Sequence, residues 1–217
     1  MQALRTTFGD IDIYLFDQIL RGRMTSGMRV FDAGCGGGRN LVYFLREGMD
    51  VRGIDASSDA IAATRALALS LVPGMSRDEA AERFVVAALE VNPAPSASAD
   101  VVLASAVLHF ARDDRHFDAM VDECWRVLAP GGLFFARLAS TAGIEHDVVL
   151  LGDHRFRLPD GSDRYLVDET RLLAMTQRLG GTLADPLKTT LVHGLRSMTT
   201  WVVHKRARRL TTDRLTD

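Results

Sequence analysis

The sequence predicts an α/β protein with a doubly wound, mostly parallel sheet of seven strands that ends in an antiparallel pair. Three observations lead to this prediction. Short β-rich runs alternate with helical stretches over the first two thirds of the chain. These runs are apolar on both faces, as strands covered by helices on both sides of a parallel sheet must be. The last third holds two strand-like runs joined by only a few residues, and so short a connection cannot be a parallel crossover.

The predicted elements follow in order along the chain. Residues 29–32, 51–55, 84–87, 100–105 and 133–138 are predicted as the parallel strands, and 187–193 and 198–204 as the antiparallel pair. Helices are predicted over 39–47, from Ser58 onward, from Asp114 to a Pro-Gly-Gly turn at 130–132, and from Asp168 to 179, because capping residues or glycines bound them. Residues 1–28 are predicted as an N-terminal helical cap, 140–167 as a lid-like insertion with a hairpin, and 205–217 as a charged tail.

Length and composition indicate one ordinary globular domain over residues 1–217. The 217 residues are 47% hydrophobic and 25% charged, and the net charge is −2. A nucleic-acid binder usually has a basic surplus, so no nucleic-acid partner is expected. No apolar run approaches the roughly 18 residues of a membrane span, and the N-terminus has two aspartates where a signal peptide is apolar. We therefore expect a cytoplasmic protein that does not contact a membrane, while its oligomeric state stays open.

The glycine-rich segment 30–40, VFDAGCGGGRN, carries the strongest functional signal. A strand ends at Asp32, glycines let the backbone turn sharply, and a helix follows, so bare N–H groups face an anionic group at the carboxyl edge of the sheet. The dinucleotide pattern G-x-G-x-x-G, started at Gly34, requires glycine where this chain has Arg39. Started at Gly36 it fails at Leu41. A nicotinamide oxidoreductase is therefore disfavoured.

Residues Asp32 to Gly38 resemble the first motif of class I S-adenosylmethionine-dependent methyltransferases. The resemblance implies that the acidic residue helps to hold the amino group of the cofactor, and that Asp55, at the end of the second strand, accepts both ribose hydroxyls. Where the family usually has an aspartate near the adenine amine, this chain has Ala88, and Glu90 or the Leu89 backbone is the expected replacement.

Further motifs in 100–110 and 125–134, and the closing strand pair, extend the resemblance over most of the chain. It implies a Rossmann-like sheet and a methyltransferase with S-adenosylmethionine as cofactor and no metal. The cofactor-binding residues that it implies are Asp32, Gly34, Cys35, Gly36, Arg39, Asn40, Asp55, Ala56, Ala88, Leu89 and Ser105. Cys35 and Cys124 are too far apart in sequence, and too few, to suggest a disulfide framework or a metal site.

The acceptor is expected to be a small molecule. Ser105-Ala-Val-Leu after the fourth strand lacks the Asn/Asp-Pro-Pro-aromatic pattern of methyltransferases that act on DNA bases or protein amides, and lacks the carboxylates of metal-dependent catechol types. His109 is the candidate general base, although a hydrogen-bonded helix-start histidine is an equally ready interpretation. The candidate substrate residues are Tyr14, Phe110 and Arg155.

Three questions about the acceptor and the activity stay open. If Arg155 and Arg157 point inward from the hairpin, they predict an anionic acceptor. If they point to solvent, they do not indicate the charge of the acceptor. Residues 38–40 with 107–110 resemble the tellurite-resistance methyltransferase branch, which makes a detoxifying methyltransferase the alternative. A binding module for S-adenosylmethionine without catalysis is the third hypothesis, motivated by Ala88 and by the lack of a certain base.

Overall fold

The computed structural model describes residues 2–207, so that most of the predicted charged tail lies outside the described residues. The helices are α1 (Gln2–Phe8), α2 (Ile13–Leu20), α3 (Val42–Arg46), α4 (Ser58–Leu71), α5 (Arg77–Arg83), α6 (Asp114–Val127) and α7 (Glu169–Arg178). The strands are β1 (Arg29–Ala33), β2 (Asp50–Asp55), β3 (Phe84–Val86), β4 (Ala99–Ser105), β5 (Leu128–Ala139), β6 (Val149–Gly152), β7 (Arg155–Arg157), β8 (Asp163–Tyr165), β9 (Thr182–Leu183), β10 (Lys188–Val192) and β11 (Arg196–His204).

The central sheet confirms the predicted fold class. Its strand order is β10-β11-β5-β4-β1-β2-β3. Strands β1 to β5 pair in parallel, whereas β11 runs antiparallel to both β5 and β10. The two-residue strand β9 pairs with β11 and adds an eighth strand that the sequence did not predict. Strand order reverses between β1 and β4, and in such sheets ligands bind in the crevice outside the carboxyl ends of the strands at that point.

Apolar side chains cover both faces of this sheet, which is why its strands are uniformly apolar. One cluster contains residues of α6 and α7, including Phe117, Val121 and Leu172, packed with strand residues such as Phe134 and Trp201. The other contains Leu15, Leu41, Phe44 and Ile61 from the N-terminal segment, α3 and α4, packed with Val101 and Phe135. The sheet is therefore the middle layer of three, and its carboxyl edge is left for ligands. Within residues 2–207, none of the helices combines the length and apolar character that a membrane crossing requires.

The helix predicted over 39–47 begins later, at Val42. The N–H of Gly38 donates to the carbonyl oxygen of Cys35 at 2.9 Å, and the N–H of Leu41 donates to that of Gly38 at 2.9 Å, so turns occupy this segment. Gly38 itself has φ of 80°, which a helix does not accommodate. Arg39 and Asn40 therefore belong to the loop rather than to the helix.

Three other elements differ from the sequence-based expectation. Strand β5 begins at Leu128, so that residues 130–132, predicted as a turn, belong to the strand. Helix α5 was not predicted, although Ser76 caps it by accepting the N–H of Glu79 at 3.0 Å, a signature that the sequence carries. Segment 140–167 contains not only the expected hairpin, formed by β7 and β8, but also β6, which makes a separate three-stranded sheet.

Candidate functional site

Residues 34–38 form a tight loop between β1 and α3. The φ angles of Gly34, Gly36 and Gly38 are 83°, 54° and 80°, a region that glycine enters without steric cost. A Cβ at Gly34 would lie 2.5 Å from Cγ2 of Val107, so the loop lies directly against the turn after β4. The hydroxyl of Thr64, on α4, donates to the carbonyl oxygen of Gly36 at 2.7 Å. Glycine is therefore required here by close approach as well as by backbone conformation.

Asp32 lies at the base of this loop, in β1, and is 1% exposed. Neither of its carboxylate oxygens has a hydrogen-bond partner among the described residues. Burial raises the pKa of Asp32 to about 7, although the positive charge of Arg39 acts in the opposite direction. A buried carboxylate without a partner is costly to ionise. The position therefore fits a ligand that brings a positive charge.

Asp55, at the end of β2, both holds the loop and faces the crevice. Its Oδ2 accepts the backbone N–H of Gly36 at 2.9 Å, and its Oδ1 accepts that of Ser57 at 2.9 Å. Each carboxylate oxygen can accept a second hydrogen bond. The half-buried side chain can therefore still accept two hydroxyl groups of a ligand while it fixes the loop.

The loop and the strand ends enclose a first cavity of about 570 Å³. Every predicted cofactor residue except Asp32, which is buried at the base of the loop, lines this cavity, and so does Phe110. The full lining is Gly34, Cys35, Gly36, Gly37, Arg39, Asn40, Ile54, Asp55, Ala56, Ala87, Ala88, Leu89, Glu90, Ser105, Ala106, Val107, Phe110, Arg112, His116 and Met120. The residues that the sequence motifs single out thus come together in space.

The far wall of the first cavity carries a carboxylate, although the third strand is followed by Ala88. Oε1 of Glu90 lies 3.0 Å from Nε2 of His116 and 3.7 Å from NH2 of Arg112. Burial raises the pKa of Glu90, but its own backbone N–H together with His116 and Arg112 outweighs burial and brings the pKa below its usual value. An ionised carboxylate that can accept a hydrogen bond is therefore present at Glu90, two residues after Ala88.

Cys35 is a packed loop residue. Its side chain is 5% exposed, and its Sγ lies 3.9 Å from Oγ1 of Thr64. Burial, reinforced by the charge of Asp32, raises the pKa of the thiol far above its usual value. Because the thiolate is the nucleophilic form, this cysteine is not an activated nucleophile.

Comparison with known proteins points to a methyltransferase. A family model described as a methyltransferase domain matches residues 31–136. The malonyl-[acyl-carrier protein] O-methyltransferase of Enterobacter lignolyticus is 35% identical over 113 residues, 52% of this chain and 39% of that protein. The ubiquinone biosynthesis O-methyltransferase of Cronobacter sakazakii is 29% identical over 172 residues, 78% of this chain and 65% of that protein. Residues 31–136 therefore match a methyltransferase domain, in agreement with the resemblance to class I S-adenosylmethionine-dependent methyltransferases that the sequence motifs carry.

A solved structure shares the fold of this chain. The 1,6-didemethyltoxoflavin-N1-methyltransferase of Burkholderia thailandensis, determined with bound 1,6-didemethyltoxoflavin and S-adenosylhomocysteine, has a TM-score of 0.68 at 18% identity. The match covers 94% of this chain and 82% of that one. By contrast, the chain spans less than two thirds of the length of either curated relative. The likeness to the tellurite-resistance branch is not shown by these comparisons.

S-adenosylmethionine is the cofactor of this superfamily, and the first cavity fits it. The methionine part of the cofactor carries an ammonium group, which matches the unpartnered carboxylate of Asp32. The ribose diol matches the remaining acceptor capacity of Asp55. Glycines with left-handed backbone and no Cβ allow the ligand to approach the loop closely.

A second cavity, of about 340 Å³, lies next to the first and shares Ala106 with it as a lining residue. It lies between β5, the insertion and the β10–β11 pair, and its lining is Ala106, His109, Arg137, Ala139, Leu158, Asp160, Ser162, Arg164, Val192, Arg196, Ser197 and Met198. His109 therefore faces this cavity rather than the first. Its side chain is 8% exposed, and its Nδ1 has no hydrogen-bond partner among residues 2–207. Burial, followed by the charge of Arg164, lowers the pKa of His109 to about 4.

Two predicted substrate residues are in the walls of neither cavity. The hydroxyl of Tyr14 hydrogen-bonds the side chain of Thr190 and so connects α2 to β10. Arg155 donates to the backbone oxygen of Ala111 at 3.3 Å, and Arg157 pairs with Asp163 at 2.9 Å. Neither hairpin arginine lines either cavity, so the expectation of an anionic acceptor gains no support from Arg155 or Arg157. Arg164, which pairs with Phe156 in the register of β7 and β8, faces the second cavity instead.

The sequence did not single out the buried ion pair of Asp12 and Arg137. NH1 of Arg137 donates to Oδ2 of Asp12 at 3.0 Å, and the Asp12 side chain is only 2% exposed. Oδ1 of Asp12 also accepts the N–H of Tyr14, and the backbone N–H of Asp12 donates to Oδ1 of Asn40 at 3.0 Å. These bonds fix the N-terminal segment against the glycine loop, so Asn40 is held by the protein itself. The two partners of the ion pair are 125 residues apart, and no local pattern reveals them.

Proposed function

We propose that this chain transfers the methyl group of S-adenosylmethionine to an oxygen atom of a small-molecule acceptor in the second cavity. The observation that carries this proposal is that Ala106 lines both cavities, so that they lie side by side. One contains Asp55 and the glycine loop over Asp32, and the other contains His109. Both curated relatives are named O-methyltransferases, which favours oxygen as the attacked atom.

When bound, S-adenosylmethionine supplies a methyl group on a positively charged sulfur, so that the acceptor oxygen forms a C–O bond as the C–S bond breaks and its electron pair stays on sulfur. The residues of the chain would bind the cofactor, orient the acceptor and exclude water. Asp32 would pair with the ammonium group, Asp55 would accept the ribose hydroxyls, and Glu90 with the Leu89 backbone would face the adenine. Ala106, directly after β4, lines both cavities, and so marks where acceptor and donor would be aligned for in-line displacement.

His109 acts in this proposal as a positioning group. A histidine whose pKa is lowered to about 4 is neutral at pH 7 and is a weak base. Its unpaired Nδ1 can still form a hydrogen bond to the acceptor and hold the attacking oxygen. A general base is required only when the acceptor oxygen carries a proton.

The first test is binding, followed by turnover. Thermal shifts are compared for S-adenosylmethionine, S-adenosylhomocysteine, NADH and buffer; a ligand at a hundred times its dissociation constant adds about 2.7 kcal/mol of stability. We expect shifts with the first two ligands alone. Formation of S-adenosylhomocysteine is then measured over a panel of hydroxyl- and carboxyl-bearing acceptors. Lack of binding to either cofactor form would remove the basis of the proposal, and binding without turnover on any acceptor would leave a non-catalytic binding module.

A further inference from the structure

The second cavity has the size and wall composition of a small-ligand site. Its volume of about 340 Å³ lies at the lower end of the roughly 300–1,000 Å³ typical of such sites. One part of the wall is apolar and consists of Ala106, Ala139, Leu158, Val192 and Met198. The rest is polar or charged and includes three arginines and one aspartate. The cavity therefore suits a molecule that has an apolar body and a charged end.

The three arginines differ in whether a carboxylate already neutralises them. Arg137 is paired with Asp12 at 3.0 Å. Among residues 2–207, no carboxylate lies within ion-pair distance of Arg164 or Arg196. Arg164 donates to the backbone oxygen of Asp163 at 2.8 Å. Two guanidinium groups on this wall are thus available to an anion.

The one carboxylate of the wall is already bonded. Oδ1 of Asp160 accepts both the N–H and the hydroxyl of Ser162, at 3.0 and 2.6 Å. The same bonds, with smaller contributions from Arg164 and Arg196, lower the pKa of Asp160, so that it is ionised near neutral pH. The guanidinium groups of Arg164 and Arg196 and the carboxylate of Asp160 together carry a net charge of +1. A monoanion balances that charge.

His109 makes the same wall receptive to a hydrogen-bonding ligand. It is more than nine-tenths buried, faces the cavity, and its Nδ1 has no partner among the described residues. A polar atom buried in this way normally has a hydrogen-bond partner. A ligand that places an oxygen beside His109 supplies one.

We propose that the acceptor of this enzyme is a small carboxylate on an apolar body, bound through its charge by Arg164 and Arg196 in the second cavity. The inference rests on the proposed function, because it takes the second cavity as the acceptor site. Charge-assisted hydrogen bonds from two guanidinium groups recognise a carboxylate and not a neutral amide of the same shape. The apolar part of the wall would pack against the apolar body of the acceptor.

The test uses matched pairs of probes, namely benzoate and benzamide, cinnamate and cinnamamide, and octanoate and octanamide. Binding to the full chain is measured by ligand-observed NMR in the presence of saturating S-adenosylhomocysteine, whose own affinity is first determined by calorimetry. We expect at least one carboxylate to bind about ten-fold more tightly than its amide, with the preference reduced at high salt. Inorganic phosphate is expected to compete poorly.

Variants locate the charge recognition. Arg164→Gln and Arg196→Gln are each expected to reduce the preference for the carboxylate over the amide, and the double variant to abolish it. Arg157→Gln is the matched control, because Arg157 lies on the neighbouring strand but pairs with Asp163. Circular dichroism melting confirms that the variants fold, and S-adenosylhomocysteine affinity is expected to be unchanged.

The outcomes separate this inference from the proposed function. If S-adenosylhomocysteine fails to bind, the proposed function fails. If it binds and no carboxylate is preferred over its amide, or Arg157→Gln lowers the preference as much as the two cavity variants do, the carboxylate inference alone is wrong. Phosphate that binds as tightly as the best carboxylate overturns the assignment of a monoanion.

Discussion

Replacing Asp32 by Asn is expected to stabilise the ligand-free protein and, at the same time, to weaken cofactor binding. The pKa of Asp32 is about 7 in the folded protein, against a usual value of 3.8. Between these two values the folded state binds a proton that the unfolded state has released, so the folded state loses stability as pH rises through this window. At 1.36 kcal/mol per pKa unit, the penalty reaches about 4 kcal/mol above pH 7.

The assay is urea unfolding at pH 4, 6 and 8, followed by tryptophan fluorescence. Asp32→Asn removes the charge, so its advantage over the wild type is expected to grow from pH 4 to pH 8 by roughly 3–4 kcal/mol. Asp100→Asn is the control, because hydrogen bonds from Arg29 hold the pKa of Asp100 below its usual value. Because the pKa of Asp100 is lowered rather than raised, the pH dependence has the opposite sign. Relative to the wild type, Asp100→Asn is expected to be less stable at pH 8 than at pH 4. An Asp32→Asn advantage that does not change with pH would refute the reasoning.

Cofactor binding is expected to weaken in the same variant, although its stability increases. An amide cannot pair with an ammonium group, so the affinity for S-adenosylhomocysteine is expected to fall by about ten- to a hundred-fold, the scale of a hydrogen bond to a charged group. In the wild type, binding requires ionised Asp32, so the affinity is expected to rise about ten-fold from pH 5 to pH 6 and to level off above pH 7. A variant with wild-type affinity would show that the ammonium group is held elsewhere.

Three further substitutions test other parts of the site. Asp55→Ala removes the acceptor of two loop N–H groups and of the ribose hydroxyls, so calorimetry is expected to show S-adenosylhomocysteine binding weakened by about 1.5–3 kcal/mol. Gly34→Ala places a Cβ 2.5 Å from a valine methyl group and is expected to cost about 1–3 kcal/mol of stability in chemical denaturation, whereas Gly37→Ala, whose nearest neighbour is 3.9 Å away, is expected to cost far less. Arg137→Met removes the nearer ion-pair partner of buried Asp12, at 3.0 Å, and leaves only Arg39 at 3.8 Å, so it is expected to destabilise the fold by up to about 3 kcal/mol, part of which Asp12→Asn restores in the double variant. An undiminished melting temperature in the single variant would contradict this.

The parallel core was predictable because its information is local. Each strand is a short apolar run that ends at the carboxyl edge of the sheet, and the glycine loop identifies the edge where the ligand binds. Helix α3 was placed three residues too early, because periodicity cannot show that hydrogen-bonded turns continue the glycine loop as far as Leu41. Strand β6 was missed because its four residues are all exposed and do not alternate between apolar and polar. Its pairing with β7 is what makes it a strand.

The acceptor side was less predictable, since it is assembled from distant segments. Arg155 and Arg157 were the candidates from the hairpin, but alternation alone does not say which face of a strand turns inward. The register that pairs Phe156 with Arg164 decides that question, and it brings Arg164 to the cavity. Arg196 reaches the same wall from β11, some thirty positions away, through the folding of the insertion against the terminal strand pair. Only the tertiary structure brings these side chains together.

The two cavities place opposite electrostatic requirements on their ligands. The first lies over the buried carboxylate of Asp32, which has no hydrogen-bond partner among the described residues and favours a cation, and the second has a surplus of guanidinium charge, which favours an anion. Methyl transfer from a sulfonium to a carboxylate consumes one charge of each sign, and a site shielded from water favours a step that neutralises charge. A carboxylate also needs no base, which agrees with a His109 whose pKa is too low for general-base work. The proposed anionic acceptor and the neutral histidine therefore support each other, because the buried His109 lines the same cavity as Arg164 and Arg196, which have no carboxylate partner among residues 2–207.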